Sequence, residues 1–177
     1  MMSYQEYTPK KYQSLKSLIH SKVTSSLIPT KYGEFIPLVN FSRMKLTERE
    51  IPLFVGTLEF FRDKDIMCDF SYSNLVNLPL TDLDLRNSYL PFSDLRGTNF
   101  KGSDLSQSIL DYSNMRGAVL IGTNVQSTTF NKILLKNAFL RGSNITKSQQ
   151  ASALYSQERF LDVLSDYHAS SSHYNDR

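Results

Sequence analysis

Between Cys68 and Lys147 every residue whose number is a multiple of five is apolar, from Phe70, Leu75 and Leu80 through to Leu140 and Ile145. Two positions earlier the side chain is usually small, as at Cys68, Ser73, Ser88, Thr98 and Ala118, with Leu78, Leu83 and Ile133 as exceptions. The residue just before the apolar one is often Asp or Asn, and the two after it are commonly polar or Gly. A period of five fits neither a helix nor an alternating strand. The chain must therefore turn a corner after each short segment while one large and one small residue point inward. Such a chain is a solenoid whose interior is a stack of its large residues.

The units Ser93 to Gly97 (Ser-Asp-Leu-Arg-Gly) and Ser103 to Gln107 (Ser-Asp-Leu-Ser-Gln) resemble those of the bacterial pentapeptide-repeat family. The resemblance runs without a gap from residue 68 to residue 147. It implies an all-β solenoid, a right-handed quadrilateral β-helix with one pentapeptide per side and about four coils in the main array. It implies no reaction, because the family is united by shape and not by a catalytic motif.

Around this array the chain divides into four stretches. Residues 1–32 read as a flexible polar leader, with a short helix around Tyr12 to Val23. Residues 33–67 carry a second five-step pattern, Ile36, Phe41, Leu46 and Ile51, in a register that differs from the main array. An insertion must separate the two, and Leu53 to Asp63 is predicted as that insertion, a helix with Pro52 in its first turn and Phe54, Val55, Leu58 and Phe61 on the face covering the N-terminal end of the solenoid. Residues 68–147 are the β-helix. Residues 148–177 continue from a capping box of Thr146 and Gln149 into a terminal helix with Ala153, Leu154, Phe160, Leu161, Leu164 and Tyr167 as its apolar surface, before a mobile tail from Ala169.

The formal charge is +3, and within residues 68–147 Lys and Arg outnumber Asp. That sign bears on function. Quinolone-resistance relatives in the family resemble duplex DNA through strongly acidic surfaces, so topoisomerase (gyrase) binding of that kind is the alternative reading and mimicry is disfavoured. Nucleic acid is an unlikely partner for so mildly basic a chain. No run is long enough to span a bilayer, and the first twenty residues lack a signal peptide's apolar centre. The expected location is the bacterial cytoplasm, or a host cell reached through a specialised secretion system for which the polar leader would be the address.

Little in the composition suggests catalysis. There is no phosphate loop, no Cys pair and no His pair at helical spacing, so the expectation is a protein that is not an enzyme, with no cofactor and no metal. His168 and His173 read as part of a solvated tail, and Cys68 as an inward-facing filler. The glycines that end many units, with Asn77, Asn87 and Asn137, suit corners that need positive φ.

With four units per coil, residues twenty apart lie above one another and each side reads as columns. One side stacks Tyr72, Phe92 and Tyr112 at the last position of its units, with Tyr89 and Ile109 before the centre. The next side stacks Arg96, Arg116 and Lys136. Together these are the expected protein-binding site of an interaction or scaffold protein, aromatic on a stiff face and cationic at its rim, suited to an acidic-rimmed partner. The alternative is that the chain's own N-terminal region covers the aromatics. Leu134 and Phe139, at outward positions usually polar, are candidates for a homodimer contact, or for burial under the terminal helix.

Overall fold

The computed structural model describes residues 25–29, 35–62, 67–154, 161, 164 and 165. The leader helix around Tyr12 to Val23, together with Phe160, Tyr167, His168, His173 and the tail from Ala169, lies outside them.

In the array, parallel bridges join residues twenty apart on each of four sides: Asp69 to Tyr89, Asn74 to Asp94, Pro79 to Asn99 and Asp84 to Asp104, repeating coil after coil. Four units thus close one coil. The N–H of a central residue donates to the coil above, as Leu90 to the Ile109 carbonyl at 2.8 Å, and the N–H before the next centre donates to the coil below, as Asp94 to Ser73 at 2.9 Å. Each side turns into the next through a β-turn. Thr98 N–H donates to Leu95 O at 3.2 Å, and the residue before Thr98, Gly97, has φ of +65°, the left-handed third residue of a type II turn.

The five-residue pattern follows from this backbone. Leu75, Leu80, Leu95, Leu105 and Leu110 are fully buried, and each contributes roughly 1.5–3 kcal/mol of apolar burial. The small residue two positions earlier sits at the inner side of a corner, where its hydroxyl closes a carbonyl of the coil below. Thr98 Oγ1 donates to Leu75 O, Ser113 Oγ to Leu90 O and Thr123 Oγ1 to Phe100 O, each at 2.7 Å. A buried hydroxyl is tolerated there because it is paired. Asp or Asn before the centre folds back onto the turn, as Asp104 Oδ1 accepts from Ser106 N–H at 2.8 Å.

The N-terminal end is closed by a hairpin and a helix. Strand β1, Ser25–Pro29, pairs antiparallel with β2, Phe35–Asn40, which pairs parallel with β3, Met67–Asp69. A strand within the polar leader was not expected. It pairs with the outer edge of β2, which would otherwise be open. Phe41 stacks on Phe70 with centroids 5.2 Å apart, and Lys45 bridges Asn74, so the first coil is offset from the array by 29 residues and not 20. Only Phe41 and Leu46 of the predicted partial coil occupy sides. Ile36 lies in β2, and Ile51 opens helix α1, Ile51–Arg62, two residues before the expected start. The helix stands in the chain where the other two sides would be. Its Phe54 and Leu58 are buried, Phe54 edge-on to Phe70 at 4.7 Å.

At the other end Thr146 caps helix α2, Lys147–Ser152, in a reciprocal capping box with Gln149. This helix stops sooner than the sequence suggests, and Leu161, Leu164 and Ser165 are again helical. Ala153 is extended, and Leu154 bridges Leu134. The reason is the backbone of the last coil: Leu135 N–H donates to Leu154 O at 3.0 Å and Leu154 N–H to Ile133 O at 2.7 Å, bonds that a continued helix could not make. Leu134 is consequently fully buried, with Leu154 and Leu164 packed on it. The expectation that Leu134 faces outward in a dimer seam is corrected, whereas Phe139 is 58% exposed. Among the described residues no helix is long and apolar enough to cross a membrane.

Candidate functional site

Every unit from the one centred on Phe70 to the one centred on Leu140 ends in a residue with positive φ, so the four corners of the coil can be compared directly. The second corner stacks Asn77, Gly97, Gly117 and Asn137, the third Asp82, Gly102, Gly122 and Gly142, and the fourth Asn87, Gln107 and Ser127. These are largely residues that accept the left-handed region at little cost. The first corner stacks Tyr72, Phe92, Tyr112 and Lys132, at φ of 57°, 59°, 60° and 55°. A bulky side chain in that region costs on the order of 1 kcal/mol at each position.

The strain is offset by alignment. Tyr72 and Phe92 stack with centroids 4.9 Å apart and planes 8° from parallel, and Phe92 and Tyr112 at 5.0 Å and 8°. The ladder spacing of roughly 4.8 Å holds the rings in register, and each stack is worth roughly 0.5–1.5 kcal/mol. Arg43 lies below the column with its guanidinium 5.7 Å from the Tyr72 centroid, and Lys132 continues it above Tyr112. The corner is thus a ladder of three rings between two cations.

Arg43 is a member that reading the sequence missed. It lies 29 residues before Tyr72, across the α1 insertion, not at the twenty-residue step. A signal was present, because Arg43 follows Phe41 by two positions, as each corner residue follows its centre, and its φ is 61°.

Tyr89 and Ile109 stand on the side leading into this corner, bridged to each other and both half-buried. Arg96 lies beyond the corner on the next side, and it does not enter the column as an unbalanced charge. Its guanidinium makes a two-pronged pair with Asp94, 2.7 Å from Nε and 2.6 Å from Nη2, and that hydrogen bonding, then the carboxylate's charge, holds Arg96 above its ordinary range. The like-charge column of Arg96, Arg116 and Lys136 is therefore weaker than the spacing alone suggests. In the units of Arg116 and Lys136 the place of Asp94 is taken by Asn114 and Leu134, and Lys136 is exposed. The structure brings Tyr72, Tyr89, Phe92, Ile109 and Tyr112 together; the cations run parallel to them along the neighbouring side.

Cys68 is buried, and burial first, with the Asp69 charge second, pushes its thiol far above the ordinary range, so it stays protonated. Among the described residues no group of His, Cys, Asp and Glu could hold a metal ion.

The family model for pentapeptide repeats matches residues 68–102 and 99–137, in eight copies. Among solved structures the chain is similar to a pentapeptide repeat protein from the thylakoid lumen of Arabidopsis thaliana, at 19% identity and a TM-score of 0.39, over 48% of this chain and 56% of that one. It is also similar to HetL, involved in heterocyst differentiation regulation in Nostoc sp. strain PCC 7120, at 24% identity and a TM-score of 0.27, over 43% of this chain and 38% of that one. A third is QnrB1, a plasmid-mediated fluoroquinolone resistance protein, at 15% identity and a TM-score of 0.24, over 47% of this chain and 62% of that one. The chain thus spans between 38% and 62% of the length of these three. No curated protein matches. Over residues 68–137 the array carries the pentapeptide repeats that this family model describes.

Proposed function

We propose that this protein is a non-enzymatic interaction module and that its first corner is the partner-binding surface. The observation that carries this is the placement of aromatic rings in left-handed backbone at one corner of four, where the other three hold mainly Gly, Asn and other small or polar residues. Left-handed backbone favours Gly or Asn here as at the other corners, so a column that keeps rings there points to a use beyond holding the coil together. Rings fixed on a stiff rod lose little entropy when a partner covers them. The flanking Arg43, Lys132 and Lys136 suit an acidic rim on that partner.

The reading is tested by placing the photo-crosslinker benzoylphenylalanine at position 92, on the first corner, and at position 107, on the fourth. It expects a discrete adduct with another protein from position 92 and none from 107. Adducts only within the chain would assign the column to the protein's own packing. Identical adducts from both positions would remove the corner's special role. Topoisomerase binding through DNA mimicry has less support, because the cations of the array outnumber its aspartates.

A further inference from the structure

The charges of the array are sorted along its axis. From Cys68 to Asp111 six aspartates accompany three cations, Arg86, Arg96 and Lys101; from Tyr112 to Lys147 there are five cations and no acid. Because the coils stack in sequence order, sorting along the chain is sorting in space, and the C-terminal end of the rod is its cationic end.

That end is closed unequally. Over the first two sides, Lys132 N–H donates to Ser152 O and Leu135 N–H to Leu154 O, both at 3.0 Å. Over the fourth, Asn144 Oδ1 accepts from Val125 N–H at 2.6 Å, and Gln149 Nε2 donates to Val125 O and Thr128 O. The third side has no such cover. On the coil below, Leu120 N–H donates up to Phe139 O at 2.8 Å and Gly122 N–H to Arg141 O at 3.0 Å. The equivalent donors of the last coil, Leu140 N–H and Gly142 N–H, meet no acceptor among the described residues. Leu140 is only half-buried where the central leucines beneath it are buried, and exposed Phe139 and Arg141 flank it.

We propose that this open edge, residues 138–142, accepts an extended acidic segment of a partner protein as an added strand. Unpaired strand edges template the addition of another strand through main-chain bonds, and here the two N–H groups are the donors such a segment's carbonyls would take. An apolar side chain on the segment covers Leu140, and acidic residues meet Arg141, Lys136 and Lys147. A second copy is a poor occupant. Symmetric pairing at this end would set those cations against themselves. This inference does not rest on the aromatic corner.

The test is fluorescence anisotropy on the full chain with a labelled peptide of alternating Glu and Leu. The expected result is saturable binding that Arg141→Glu weakens at least about tenfold while Gln107→Ala, on the fourth corner, leaves it unchanged. Methylating every second peptide nitrogen should abolish binding in one parity and spare it in the other, because alternate amides of a strand face its neighbour. Should Arg141→Glu fail to fold by circular dichroism, Lys147→Glu takes its place. Absence of saturable binding, equal binding by both methylated forms, or displacement by an equally charged DNA duplex at the same concentration would each overturn the proposal. So would a dimer in sedimentation equilibrium that Phe139→Asp dissociates, since a second copy would then hold the edge.

Discussion

The first corner of the coil and the second share a backbone but not a composition. Both are left-handed at every level, yet one stacks Tyr72, Phe92 and Tyr112 and the other Asn77, Gly97, Gly117 and Asn137. At the second corner the residues are what the turn itself favours, so nothing beyond geometry is needed to account for them. At the first, geometry argues against the residues present, and their compensation comes from stacking on one another. A solenoid repeats its backbone so closely that departures in composition between equivalent positions isolate what the surface is used for.

The largest expected effect removes what all corners share. Leu105 is fully buried with no charge partner, so Leu105→Lys should cost about 4 kcal/mol or more and abolish the cooperative melt followed by circular dichroism. Asp104→Ser, one residue away but outward, should be mild. Equal tolerance of both would mean that the inward register is misassigned.

Transplanting the first corner onto the second sharpens the comparison. Any Cβ at Gly97 would run into Asn77 Oδ1, and φ there is +65°. Gly97→Phe should therefore cost roughly 1–3 kcal/mol, a fall of about 2–12 °C in melting temperature, with Asn77→Gly recovering part of it. A neutral Gly97→Phe would show that any corner accepts a ring and that the first is not special.

Within the first corner, Phe92→Ala removes two stacks and should cost roughly 1–3 kcal/mol, in partner affinity or in fold stability. Arg116→Glu should weaken partner binding more at low salt than at high. Binding isotherms at two salt concentrations, with melts of both variants, separate these outcomes.

The smallest effect concerns pH. Burial acts to raise the Asp104 pKa, but hydrogen bonds from the Ser106 hydroxyl and amide and from Asn124, with Arg86 nearby, hold it below the ordinary carboxylate range. A depressed folded-state pKa contributes stability that is present above the unfolded value and lost as pH falls through the folded one. Asp104→Asn should therefore flatten the acid limb of the melting temperature below about pH 4, with little change at neutral pH.

Much of the array was legible because period, inward positions and column membership all follow from one repeat length. The first-corner column could be written down from Tyr72, Phe92 and Tyr112 alone. Its strain could not, since aromatic residues announce no preference for positive φ. The ends were less legible because there the repeat gives way to segments recruited by open backbone: β1 pairs with β2, and Leu154 leaves the helical pattern to bond with Ile133 and Leu135. The same demand buries Leu134, whose outward position in the repeat reads as exposed. Arg96 was misjudged for a different reason, because its partner Asp94 lies two residues away in the same unit and not in the column.

The most direct test of the aromatic corner is the affinity of the triple variant Tyr72→Asn, Phe92→Asn, Tyr112→Asn for whatever protein cross-links at position 92. Asn suits the left-handed backbone, so the variant should melt within about 5 °C of wild type while its affinity falls at least about a hundredfold. An unchanged affinity in the folded variant would contradict the account.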